Sequence, residues 1–212
     1  LEGLSGSSKT AVVHAVMSFL KGPHLLIFND KEEAAYFYIG PHEEVAPGVW
    51  HFYSLAHSIV FVCGDRLLQV DANIGFKAPE VIADMRKLTE LPIDSIAITH
   101  GHVDHCLGTW HYVQDNLQRG YQRPNVIAHR NLRARIDKNK LMEAHRSGTD
   151  KKQFQVDMDF KEEFVYPNVE FTDRLEIALN DQNFLMVFGC GHTEDSIWIY
   201  NPERKVLCCG DL

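Results

Sequence analysis

Residues 99–108 read THGHVDHCLG and place His100, His102, Asp104 and His105 within six consecutive positions. Three imidazoles and a carboxylate crowded together are unfavourable unless something binds them. Neutral imidazole and carboxylate are the donors that zinc and similar ions take. In an extended turn, residues two apart such as His100 and His102 converge on one ion, while Asp104 and His105, one step on, face a second. The run leading into the motif, SIAIT at 95–99, is apolar and reads as a buried strand. The motif therefore stands where a strand ends and a loop begins, the position at which open α/β sheets build their sites.

Further donors follow other apolar runs. GCGHTEDS sets His192 in a glycine-flanked turn after FLMVFG, where backbone approaches a site closely. Asp211 follows the strand-like KVLCC, and Asp71 ends LLQVD. Four clusters of acid or imidazole, each at a predicted strand end, point to one metal edge.

The rest of the chain supplies a scaffold for that edge. Residues 1–8, LEGLSGSS, read as a flexible lead, with Ser7 or Ser8 capping a helix over 9–21. GPHEEVAPGVW reads as a loop, punctuated by Pro41, Pro47 and Gly48. HSIVFVCG and DRLLQVD are two strands around Gly64 and Asp65, a hairpin. Pro79 opens a helix with Val81, Ile82, Met85 and Leu88 on one face. A helix over 109–119, a strand PNVIAH, a basic helical stretch over 130–146 and a polar loop over 147–165 come next. Strands NVEF, LEIAL, FLMVFG, SIWIY and KVLCC complete the chain. The expected division is an N-terminal extension with a helix over 1–45 and a single domain over 46–212.

Composition narrows the function. With 212 residues, 45% hydrophobic and 24% charged, the chain reads as one soluble globular domain with a large core. A formal charge of −8 opposes non-specific nucleic-acid binding, which needs basic surface. No apolar run approaches the roughly 20 residues of a membrane span, and the N-terminus lacks a signal-peptide pattern. The five cysteines are odd in number and show no CxxC spacing, so reduced thiols and a cytoplasmic location are expected. No Ser-His-Asp pattern or P-loop competes for the chemistry.

On HxHxDHxxG completed by Gly108, the VD strand end at Asp71, GHT with His192 and LCCGDL with Asp211, the chain resembles the metallo-β-lactamase-fold superfamily of metallo-hydrolases from about Trp50 onward. The resemblance implies an α/β fold, an αββα sandwich of two mixed sheets flanked by helices, with the metals at one edge. It implies His100, His102 and His192 on one ion, Asp104 and His105 on the other, and Asp211 bridging both. Asp71 and Thr193 stand behind these donors and hold them in place. The family normally adds a last histidine well after the GD motif, whereas this sequence ends at Leu212. A fragment with a C-terminally truncated fold is the favoured expectation, the alternatives being an incomplete second site or another histidine in its place.

The implied cofactor is Zn2+, one or two ions, with iron and manganese compatible with the same donors. The implied activity is attack by a metal-activated water on an ester, thioester, lactone or amide of a small-molecule substrate, with Asp104 as the catalytic carboxylate. Three rivals share the motif: a mononuclear-iron, persulfide-dioxygenase-like oxygenase, a nuclease, and a non-catalytic metal-binding or interaction module. A homo-oligomer is compatible with the sequence.

Other residues read less sharply. His57, before the SIVFV strand, and His129, at the end of VIAH, are candidates for substrate contact, against plain surface or capping roles. Cys106 is a soft donor beside His105, although packing is its simpler role. RNLRARIDKNK reads as a solvated helix face rather than an anion site.

Overall fold

The computed structural model describes residues 25–27, 42–143 and 163–211. Two sheets carry the architecture. The first has seven strands in the order β2 (His42–Ala46), β3 (Val49–Phe52), β4 (Ser58–Cys63), β5 (Arg66–Val70), β6 (Ile93–Ala97), β7 (Asn125–His129) and β8 (Val169–Phe171). The second has five, in the order β1 (Leu25–Ile27), β12 (Val206–Cys208), β11 (Ile197–Asn201), β10 (Gln182–Phe188) and β9 (Arg174–Leu179). Strands β5 to β8 run parallel, whereas β2 to β5 and β9 to β12 are antiparallel neighbours.

Burial explains why these segments are strands. SIVFVC of β4 is apolar almost throughout because it is covered on both faces. RLEIAL of β9 alternates, as expected of a strand with one wetter face. The space between the sheets is filled from both sides, by Val49, Phe61, Val70 and Ala97 from one and Phe184, Met186, Ile199 and Val206 from the other. Phe61 and Phe184 meet edge to face at 5.1 Å. Each such buried side chain contributes about 1.5–3 kcal/mol.

The described helices pack on the outer face of the seven-stranded sheet. Helix α1 (Ala78–Leu88) begins with a proline in its first turn, carries Glu80 near its N-terminus and Arg86 and Lys87 near its C-terminus, and buries Val81, Ile82 and Met85. Helix α2 (Val103–Cys106) is a single turn, and α3 (Thr109–Gln118) continues from it. Arg86 donates to Asp115 at 2.9 Å, tying α1 to α3. Helix α4 (Leu132–Leu141) buries Leu132 and Ile136 in the same layer. The opposite face of the five-stranded sheet carries Trp198, Leu207 and Cys209. None of the described helices is long and apolar enough to cross a membrane.

One segment differs from the sequence reading. Within the stretch expected as a loop over 40–50, residues 42–50 instead belong to a hairpin of β2 and β3, with Pro47 and Gly48 at its turn and Gly48 at φ +72°. The punctuating residues belong to the turn, and the exposed Glu43 and Glu44 belong to a wet edge strand. Strand β1, within the expected N-terminal extension, pairs in parallel with β12. The helix expected over 9–21 and most of the loop expected over 147–165 lie outside the described residues.

Candidate metal centre

Strand direction assembles the site. Asp71 follows β5, His100 follows β6 and His129 ends β7, three parallel neighbours whose carboxyl ends share one edge. His192 follows β10 and Asp211 follows β12; each pairs antiparallel with β11, so both strands finish at one edge. The Ile197 N–H at the start of β11 donates to the Thr99 carbonyl at 2.8 Å and joins the two sheets there.

The geometry brings four donors together. Ligating atoms of His100, His102, His192 and Asp211 all lie within 4.8 Å of one another. His102 Nδ1 stands 3.0 Å from both His100 Nε2 and His192 Nε2. Asp211 Oδ2 is 3.9 Å from His100 Nε2 and 3.6 Å from His192 Nε2. A tetrahedral ion with bonds of about 2.0–2.2 Å separates its ligands by roughly 3.3–3.6 Å, so this set fits one with small adjustments. A single imidazole nitrogen offers one proton or one lone pair, and His102 Nδ1 therefore satisfies only one of its two histidine neighbours by hydrogen bonding. A cation between the rings satisfies all three.

The second group is looser. Asp211 Oδ1 is 3.3 Å from His105 Nε2, and Asp104 Oδ2 is 3.8 Å from the same nitrogen. The two oxygens of Asp211 thus face the two groups of donors separately.

Asp71 organises the motif from behind. Its Oδ1 accepts from the Thr99 N–H and its Oδ2 from the Thr99 hydroxyl, each at 2.7 Å, and Oδ2 also accepts from His105 Nδ1 at 2.8 Å. With its only proton given to Asp71, the Thr99 hydroxyl accepts from His100 Nδ1 at 3.2 Å. That fixes the His100 tautomer with a lone pair on Nε2, the nitrogen facing the other donors. Burial, reinforced by the adjacent His105, pushes the His100 pKa well below the ordinary imidazole value, which keeps the ring neutral. For His105 burial opposes the charge, yet the Asp71 and Asp104 carboxylates and the hydrogen bonds to Asp211 and Asp71 raise its pKa well above that value.

The turn after Asp71 locks the loop to the scaffold. The Ala72 N–H donates to the His105 carbonyl at 2.8 Å, and the Gly108 N–H to the Asn73 carbonyl at 2.9 Å. Asp71 and Asn73 both take positive φ, 54° and 63°, to make these contacts. The Asn73 amide also donates to the Ala56 carbonyl, holding the segment before His57.

The remaining predicted residues sit around this core. Thr193 is buried and donates to Asp195 at 2.6 Å, shaping the turn that carries His192. His57 makes ring contacts with His51 at 4.7 Å and Tyr53 at 5.2 Å. His129 is buried and stacks on Phe188 at 4.3 Å. Cys106 is buried in the core beneath the helices. Arg135 was not singled out from the sequence, yet it donates to His102 Nε2 at 2.7 Å and pairs with Glu194 at 3.2 Å. The basic side chains in the last turn of α4, Lys138 and Lys140, gave that helix its solvated look.

A model of the metallo-β-lactamase superfamily matches residues 75–212, well over half of the chain. The chain belongs to the metallo-β-lactamase superfamily. The superfamily's solved structures share its fold. The sec-alkylsulfatase Pisa1 from Pseudomonas sp. superposes with a TM-score of 0.66 at 17% identity, over 78% of this chain and 30% of that one. A metallo-β-lactamase with a HARLDQ motif from Cronobacter sakazakii gives 0.56 at 20% identity, over 79% and 60% of the two chains. The metallo-β-lactamase MIM-1 from Novosphingobium pentaromativorans gives 0.56 at 18% identity, over 77% and 56%. The chain thus spans less than two thirds of each of these proteins. No curated protein matches the sequence.

Proposed function

We propose that this superfamily member is a metal-dependent hydrolase acting on an ester, thioester, lactone or amide bond of a small-molecule substrate. The observation that carries the reading is the convergence of His100, His102, His192 and Asp211 on a space one ion fills, at the rim of two sheets. Zinc is the expected metal, since three imidazoles and a carboxylate suit its borderline softness. His100, His102, His192 and Asp211 would hold a divalent ion, which would supply an acidified water and a polarised substrate oxygen at a coordination position beyond those four donors.

The protein's own groups prepare that chemistry. Asp71 orients Thr99, His100 and His105 before anything binds. Asp104 is less buried than His105 and lies beside it, where its carboxylate orients a water and accepts its proton. Asp211 holds its two oxygens toward the two groups of histidines. A panel of esters, thioesters, lactones, amides, sulfate esters and β-lactams tests the activity in zinc-loaded protein. Asp104→Ala is expected to lower turnover on the responding substrate by about 10²–10⁴-fold with an unchanged circular dichroism spectrum. Near-full turnover in that variant removes Asp104 from the mechanism.

A further inference from the structure

Arg135 makes an unusual contact with one of the candidate ligands. It projects from α4, is largely buried, and places Nη2 2.7 Å from His102 Nε2. A guanidinium only donates, so His102 Nε2 must be the acceptor and the proton of the neutral ring sits on Nδ1. Nδ1 is the nitrogen that faces His100 and His192 at 3.0 Å. The polarity then runs consistently from end to end. Arg135 donates to His102, His102 Nδ1 to His100 Nε2, His100 Nδ1 to Thr99, and Thr99 to Asp71.

A cation held by the three imidazoles requires the opposite arrangement at His102. Its Nδ1 must offer a lone pair, which moves the proton to Nε2 and sets an N–H donor against the Arg135 donor at 2.7 Å. The usual partner behind a ligating histidine is an acceptor, a carboxylate or carbonyl. Here it is a cationic donor. The alternative acceptor for Arg135 is already beside it, since Nη1 lies 3.2 and 3.3 Å from the two Glu194 oxygens.

We propose that Arg135 holds down the metal affinity of the three-histidine set by selecting the non-ligating tautomer of His102, and releases it by withdrawing to Glu194. Arg135 is thus a positioning residue that acts through His102. The inference rests on the ligand set of the proposed function. It makes metal uptake a competition between two hydrogen-bond patterns that share one ring.

Two measurements test it. In metal-free protein, ¹⁵N shifts of the His102 ring should report a proton on Nδ1, moving to Nε2 in Arg135→Gln, whose amide oxygen accepts. Zinc affinity by chelator competition should rise about tenfold in Arg135→Ala and Arg135→Gln, the size expected for removing one charge-assisted contact. Arg135→Lys, which still donates, should stay near wild type, and Glu194→Gln, which weakens the receiving partner, should fall below it. Unchanged or weaker zinc binding in folded Arg135→Ala overturns this inference while leaving the ligand set standing. A proton on His102 Nε2 in the metal-free wild type overturns it as well. No zinc uptake by wild type or any Arg135 variant overturns both the inference and the ligand set.

Discussion

Asp71 shows how one carboxylate sets the chemistry of several neighbours. Three donors end on its two oxygens: the Thr99 amide, the Thr99 hydroxyl and His105 Nδ1. Asp71→Asn keeps the shape but turns an amide N–H toward one or more of them, unlocking the tautomers of His100 and His105. Zinc affinity is expected to fall about 10–100-fold, as for other partners behind metal ligands. Wild-type affinity in that variant means the Thr99 relay is not holding His100. The sequence flagged Asp71 as an acid at a strand end; its three partners depended on the 28- and 34-residue separations that only folding closes. Arg135 was illegible for a related reason. The other basic residues of α4, Arg133, Lys138 and Lys140, are exposed, and nothing in one dimension shows that this member of the run turns inward.

His51 carries a pH dependence of its own. It is 5% exposed, and burial, with a smaller contribution from His57, lowers its pKa from 6.5 to about 4. The unfolded chain therefore takes up a proton below pH 6.5 that the folded chain refuses until about pH 4. Stability contributed by this ring is full above pH 6.5 and is lost as pH falls from 6.5 to 4, by at most about 3–4 kcal/mol. His51→Phe should flatten that part of the urea-stability profile relative to wild type. An equally steep loss in both proteins assigns it to other groups.

At the scale of elements, the loop-to-helix junction of the motif depends on close backbone approach. A Cβ on Gly108 would collide with the Ala72 carbonyl oxygen and stand 2.7 Å from Ala78 Cβ and 2.9 Å from the Asn73 carbonyl oxygen. These are backbone atoms and a buried methyl, so none swings aside. Gly108→Ala should cost about 1–3 kcal/mol by urea denaturation, and alanine at this N-cap of α3 brings no compensating helix preference. Unchanged stability would mean the 71–74 turn yields easily and does not clamp the motif. Most strands here were readable because apolar runs and turn residues mark them, as with β4 and β5 around Gly64. The β2–β3 hairpin escaped because half of it, HEEVA, is an acidic edge strand whose only apolar residues, Val45 and Ala46, are adjacent rather than alternating. Sheet membership was out of reach of pattern alone, since the pairing of β1 with β12 spans almost the whole chain.

For the molecule as a whole, the candidate ligands belong to both sheets. His100 and His102 follow β6 in the seven-stranded sheet, whereas His192 and Asp211 follow β10 and β12 in the five-stranded one. An ion held by all four is a cross-link between layers that are otherwise joined at this edge by contacts such as the one from Ile197 to Thr99. Binding to the folded state alone stabilises it by about 4 kcal/mol when zinc exceeds its Kd a thousandfold. For a chain of this size that is a rise in Tm of roughly 8–16 °C, reversed by a chelator. The second group, Asp104 and His105 sharing Asp211, offers fewer donors at 3.3 and 3.8 Å and is expected to fill only at higher metal concentration. The two groups separate by substitution. His192→Ala, at a half-exposed turn outside the core, should abolish the thermal shift and the tightly held ion in elemental analysis. His105→Ala should keep one tight ion and most of the shift. If His192→Ala retains the full shift, the ion does not bridge the sheets, and the stabilising site lies elsewhere in the molecule.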